Sequence, residues 1–145
     1  MLTISCALLL LGVYMYSKVD ADIYDKTYTL HLPQNDISLI VSNSNESRMR
    51  GLGGMNSLPE DKAMLFIFNE PGEYGIWMKD VIFPIDIFWL NEEKEIIHLE
   101  QDISPDTFPK IFYPNEKSVY VLEANAGFAK NNNLMVGKVL NFDTK

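Results

Sequence analysis

Asp86 is the only charge in Val81-Ile82-Phe83-Pro84-Ile85-Asp86-Ile87-Phe88-Trp89-Leu90. An ionised carboxylate in a dry interior costs several kcal/mol or more, so it must be paired, protonated or open to water. Each outcome gives a different chemistry. Paired with a cation, Asp86 is an internal anchor, and the candidate cations are Arg48, Arg50 and Lys79. Arg50 ranks first because its planar fork grips a carboxylate through two hydrogen bonds. Set beside Glu123, Asp86 would form a weak candidate acid and base pair of the glycosidase kind, given a suitable separation. Gathered with Trp77, Lys79 and Glu123 at one end of a barrel, it would help bind a polar ligand such as a sugar or a peptide terminus.

These residues lie on short apolar runs separated by turn residues, which is the pattern of strands. Strands are expected at Tyr24 to Leu32, Ile37 to Val41, Ala63 to Phe68, Gly75 to Met78, Ile85 to Leu90, Glu95 to Gln101, Ser118 to Ala124 and Lys138 to Phe142. Asp86 therefore faces away from Ile85 and Ile87 and shares a side with Phe88. Two short helices are expected. Ser44 to Leu52 opens on N-cap residues, carries Glu46 early and arginines late, and stops at Gly53-Gly54. Ala126 to Asn132 ends in an asparagine run. About eight strands without regular βαβ alternation predict a mainly β fold, a single antiparallel sandwich or barrel-like domain with two short helices. The irregular stretch Ile103 to Lys117 carries three prolines and the aromatics Phe108, Phe112 and Tyr113. It reads either as a flap over one end of the barrel or, with Trp77 and Lys79, as a ligand contact surface.

Several function classes are excluded or set aside. With 12 Lys+Arg against 20 Asp+Glu, a net charge of −8 and no basic run longer than two residues, nucleic acid is not an expected partner. His31 and His98 have no third ligand at a metal-binding spacing, so no metal is expected. The acidic runs lack the calcium-loop pattern, and no phosphate- or dinucleotide-binding motif occurs, so no cofactor is expected. Met1 to Tyr16 contains no charged side chain, a length that suits a signal-peptide core better than a membrane span. The reading is a signal peptide or N-terminal anchor over 1–21 and one domain over 22–145, exported to the periplasm or the exterior. Membrane contact would then come only through an uncleaved N-terminus. Cleavage after Ala21 would remove Cys6 and leave no cysteine.

The segments Glu46-Ser47-Arg48-Met49-Arg50-Gly51-Leu52, Ala63-Met64-Leu65-Phe66, Trp77-Met78-Lys79-Asp80, Pro84-Ile85-Asp86-Ile87, Tyr120-Val121-Leu122-Glu123, Ala126-Gly127 and Val136-Gly137 resemble, in order and spacing, the small exported proteins of the DUF192 family. The resemblance spans roughly Ile37 to Phe142. It implies a compact β-rich domain, often behind a signal peptide, with no agreed activity. Where the family commonly reads W-M-K-N-T, this chain has Asp80-Val81, and Gly53-Gly54-Met55 stands where a base commonly follows R-G-L. Two functions remain in view: an accessory or ligand-binding module of the cell envelope that takes a small polar ligand or an envelope protein, and a hydrolase that uses Asp86 and Glu123.

Overall fold

A computed structural model describes residues 27–143. The expected export segment lies outside the described residues. Nine strands are formed there: β1 (Thr27–His31), β2 (Asp36–Ser42), β3 (Lys62–Gly72), β4 (Ile76–Trp77), β5 (Ile85–Leu90), β6 (Ile96–Ile103), β7 (Ile111–Phe112), β8 (Ser118–Asn125) and β9 (Asn141–Phe142). Two short helices join them, α1 (Asn45–Arg50) and α2 (Phe128–Asn131). Seven strands form one sheet in the order β6-β5-β8-β3-β2-β1-β9, and β4 pairs with β7 in a separate ribbon. The pairings are antiparallel except β2 with β3, which run parallel through the α1 crossover. The fold is mainly β, as expected, with that single parallel pair as an addition.

The sheet curls until its edges are bridged. The segment before β9 takes the main chain of the other edge, with Ile96 N–H donating to Lys138 O at 2.8 Å and Leu140 N–H to Lys94 O at 2.9 Å. Closure removes the exposed edges that would invite pairing with other chains. The inward face carries Leu30, Ile37, Leu39, Leu65, Phe88, Leu90, Ile96, Leu122, Leu140 and Phe142, and α2 closes one end with Phe128 and Ala129.

The outward face of the same sheet is apolar too. Met64, Phe66, Ile85, Ile87, Trp89 and Val121 form a second core, covered by Leu52, Leu58, Ile76, Met78, Val81 and Phe112. That explains why β5 is buried at every position and why its sequence is nearly unbroken hydrophobe. The proline-rich stretch is a flap, as one reading had it, but it covers this outer face through β7 and not the end of the barrel.

Local sequence accounts for α1. Ser44 and Ser47 form a reciprocal capping box, with Ser47 N–H donating to Ser44 Oγ at 3.1 Å and Ser44 N–H to Ser47 Oγ at 3.1 Å. The helix ends at Gly51, whose φ of 53° and ψ of −134° lie in a region essentially reserved for glycine. A Cβ at Gly53 would lie 2.8 Å from Arg50 O and 2.9 Å from Lys79 O, so only glycine lets these two main chains meet. Asp80 has φ 58°, a left-handed position that Asn and Asp share more readily than other side chains.

Candidate functional site

Asp86 is fully buried and faces inward with Phe88, opposite Ala124 of β8. Its Oδ1 accepts the N–H of Asp102 at 2.9 Å, and its Oδ2 accepts the N–H of Ala129 at 2.8 Å. Both donors are main-chain groups that would otherwise be orphaned. Asp102 lies where the β5–β6 register shifts, and has φ 53°. Ala129 opens α2, whose N-cap Gly127 has no side chain to offer. Asp86 is thus a remote helix cap and a bulge clamp in one.

The expected Arg50–Asp86 pair is corrected by this geometry. Arg50 lies beside Leu52, Phe66, Trp77 and Glu123 on the outer face, whereas Asp86 lies inside the barrel. Asp86 does not hold α1; its partners are the main-chain amides of Asp102 in β6 and Ala129 in α2.

Glu123 occupies the other side of the sheet. It is opposite Met64 on β3 and Ile87 on β5, both outer-core residues. Adjacent residues on one strand point to opposite faces, so Ala124 goes inward with Asp86 and Glu123 goes outward. The acid and base pair of Asp86 and Glu123 is therefore excluded: a sheet stands between them. Convergence of Asp86 with Trp77 and Lys79 fails for the same reason.

Glu123 is only 4% exposed, and its Oε2 has no hydrogen-bond partner. Burial pushes its pKa up from 4.5 to about 8, against a smaller lowering by the main chain of Leu52. Burial thus favours its protonated form, in which it can donate a hydrogen bond. It lines a cavity of about 30 Å³ with Arg48, Arg50, Gly51, Leu52, Phe66, Ile76 and Trp77. A Cβ on Gly51 would sit 3.3 Å from the Phe66 ring and 3.5 Å from Glu123 Oε2, so the glycine keeps that approach clear.

The cavity shares Arg48, Met49, Phe66, Gly75, Ile76 and Trp77 with an outer groove of about 360 Å³, which adds Asn45, Phe68 and Tyr74. The Phe68 and Tyr74 rings stack with centroids 3.4 Å apart. The Arg48 guanidinium lies 5.2 Å from the Phe68 centroid and donates to Asn43 O, Ile67 O and Asn45 Oδ1. Trp77 forms the opposite wall, 38% exposed, with Lys79 Nζ 5.8 Å from its ring and Phe108 edge-on at 6.3 Å.

The structure therefore brings Trp77, Lys79, Phe108 and Glu123 to one region. Tyr113 is exposed nearby, with its ring against Gly75. Phe112 is corrected: at 5% exposure it belongs to the outer core and offers no contact surface. The sequence reading missed Met49, Phe68 and Tyr74 as groove walls. Met49, the exposed residue between two arginines, was the one signal available for it. Among the described residues no three His, Cys, Asp or Glu side chains gather as a metal site.

Comparison with known proteins places this architecture. A family model, DUF192, described as Uncharacterized ACR, matches residues 29–142. The chain belongs to the DUF192 family. Two solved structures share its fold. One is a Sinorhizobium meliloti 1021 protein described, provisionally, as a transcription regulator; it is 25% identical, with a TM-score of 0.73 over 80% of this chain and 92% of that one. The other is a Novosphingobium aromaticivorans DSM 12444 protein of unknown function, 17% identical, with a TM-score of 0.69 over 81% of this chain and 84% of that one. No curated protein matches the chain. The segments most typical of DUF192 have distinct jobs here: R-G-L turns the chain past Glu123, W-M-K forms the opposite wall, and P-I-D-I supplies the internal clamp.

Proposed function

We propose that this DUF192 domain is a non-enzymatic ligand-binding module of the cell envelope, exported by its N-terminal segment, with the groove between α1 and β4 as its site. The observation that carries this reading is Glu123 Oε2: a buried polar atom without a partner, at the floor of a cavity whose rim is Trp77. Leaving such a group unsatisfied costs roughly 1–3 kcal/mol, a cost that a bound polar group would remove. Aromatic walls with one inward polar contact are the usual make-up of a small-molecule site.

The hydrolase alternative loses its geometry, because its two carboxylates lie on opposite faces of the sheet. The regulator description of the Sinorhizobium protein is not extended to this chain, whose net charge of −8 opposes contact with a phosphate backbone.

A screen of envelope-derived sugars and peptides, read by the indole signal of Trp77, tests the proposal. Binding that shifts this signal, and that calorimetry shows to be lost in Trp77→Ala with folding retained, is the expected result. A ligand that binds equally well to Trp77→Ala and Glu123→Leu would place the site elsewhere and overturn it.

A further inference from the structure

We infer that the group recognised at the floor of this groove is a carboxylate, seated against Glu123 Oε2 beside Gly51, in a cavity lined by Arg48 and Arg50 of α1. The inference rests on the groove being the ligand site and adds the chemistry of what it takes.

Three observations carry it. The first is where the positive charge lies. The chain has two arginines, Arg48 and Arg50, and both stand on α1 and line the cavity. Lys79 lies over Trp77 on the opposite wall. In a chain with net charge −8, this is a local reversal that favours an anion. The second is the floor. A buried, protonated carboxyl group with a free oxygen donates to an anionic oxygen through a short, charge-assisted hydrogen bond. The third is size. At about 30 Å³ the cavity admits no more than a small terminal group of the ligand. The outer groove of about 360 Å³ then takes the body of the ligand against Met49, Phe68, Tyr74 and Trp77.

A carboxylate of this kind is carried by a sugar acid or by a peptide C-terminus. Both fit aromatic walls, and experiment separates them.

The proton on Glu123 makes recognition pH-dependent. The charged groups around it are Arg48 and Arg50 on α1 and Lys79 beyond β4, with Asp80 packed near Gly53. From the sheet, β3 and β5 present only Met64, Phe66 and Ile87. Glu123, whose pKa burial raises to about 8, is the group whose proton sets this dependence.

The full chain is titrated with glucuronate and glucuronamide, with acetyl-trialanine and its C-terminal amide, and with inorganic phosphate, following the Trp77 indole signal by NMR. At pH near 6, one carboxylate is expected to bind at least tenfold more tightly than its own amide, and the pair that does so names the source. That preference should fall about tenfold per pH unit above pH 8, the pH at which Glu123 ionises. Glu123→Gln keeps a donor and should bind without this pH dependence, while Lys79→Gln should weaken the carboxylate severalfold and leave the amide unchanged. If amide and carboxylate bind alike, or phosphate binds better than either, the carboxylate assignment is overturned while the groove stands as a site. If no probe moves the Trp77 signal, both readings fall.

Discussion

Asp86 and Glu123 sit on neighbouring strands, and their side chains leave the sheet in opposite directions. The register that pairs Asp86 with Ala124 and Ile87 with Glu123 sends one carboxylate into the barrel and the other beneath the α1–β4 groove. Two acids that look alike in sequence thus have different work. Asp86 satisfies main-chain donors, while Glu123 is left with an oxygen that has no hydrogen-bond partner among the described residues.

Removing Asp86 should cost stability and leave the groove chemistry untouched. Asp86→Ala strands the buried N–H of Ala129 and the part-buried N–H of Asp102, so a loss of about 1–4 kcal/mol is expected in urea unfolding. Faster amide exchange should appear at Ala129 and Asp102 before it appears elsewhere. A variant as stable as the parent would refute the clamp.

The pH dependence of folding follows from Glu123. Its folded pKa of about 8 lies above its ordinary value of 4.5, so the folded state holds a proton that the unfolded chain releases between these values. Stability from this group is therefore unaffected below pH 4.5, falls as pH rises between 4.5 and 8, and levels off above that, by up to about 5 kcal/mol in all. Glu123→Gln should flatten that slope in denaturant titrations run across this range. An unchanged slope would place the titration on another group.

Gly51→Ala is expected to be disproportionately damaging for one methyl group. The position has φ 53°, and the new Cβ would press on the Phe66 ring at 3.3 Å. Strain of this kind costs on the order of 1–3 kcal/mol, and thermal melts should show it. Gly54→Ala is the control, because its φ is also positive, at 80°, but nothing lies within 4 Å of its Cβ. The difference between the two isolates the crowding beneath α1.

Trp77→Ala should barely change stability, since the ring is substantially exposed and its contacts with Lys79 and Phe108 are peripheral. Exposed cation–π contacts contribute about 0.5–1 kcal/mol, which sets the scale of the loss. Trp89→Ala, by contrast, removes a fully buried ring whose Nε1–H donates to Tyr74 O at 2.7 Å, and should lose about 3–5 kcal/mol. Comparing melting temperatures separates the tryptophan that walls the groove from the one that holds the core.

Much of the fold was legible because strands write their burial into alternation. Asp86 could be assigned to the side of Phe88, and Ser44 marked the start of α1, from local chemistry alone; its end, expected at Gly53-Gly54, falls earlier at Gly51. The short β7 was not legible, since two residues paired to an equally short β4 carry no period. The inward turn of Phe112, flanked by exposed neighbours, depended on that pairing.

The residue types and their spacing determined a β-rich domain, a helix capped at Ser44, and the need for Asp86 to find partners, because capping and desolvation are local costs. Only the tertiary structure decided which partners those were. Strand order and register choose which residues from distant segments share a face, and here they gave Asp86 two main-chain amides where the sequence offered an arginine. The same fold placed Arg50, Gly51 and Trp77 around a buried Glu123 whose Oε2 has no hydrogen-bond partner among the described residues, a site assembled from three segments with no common motif in the chain.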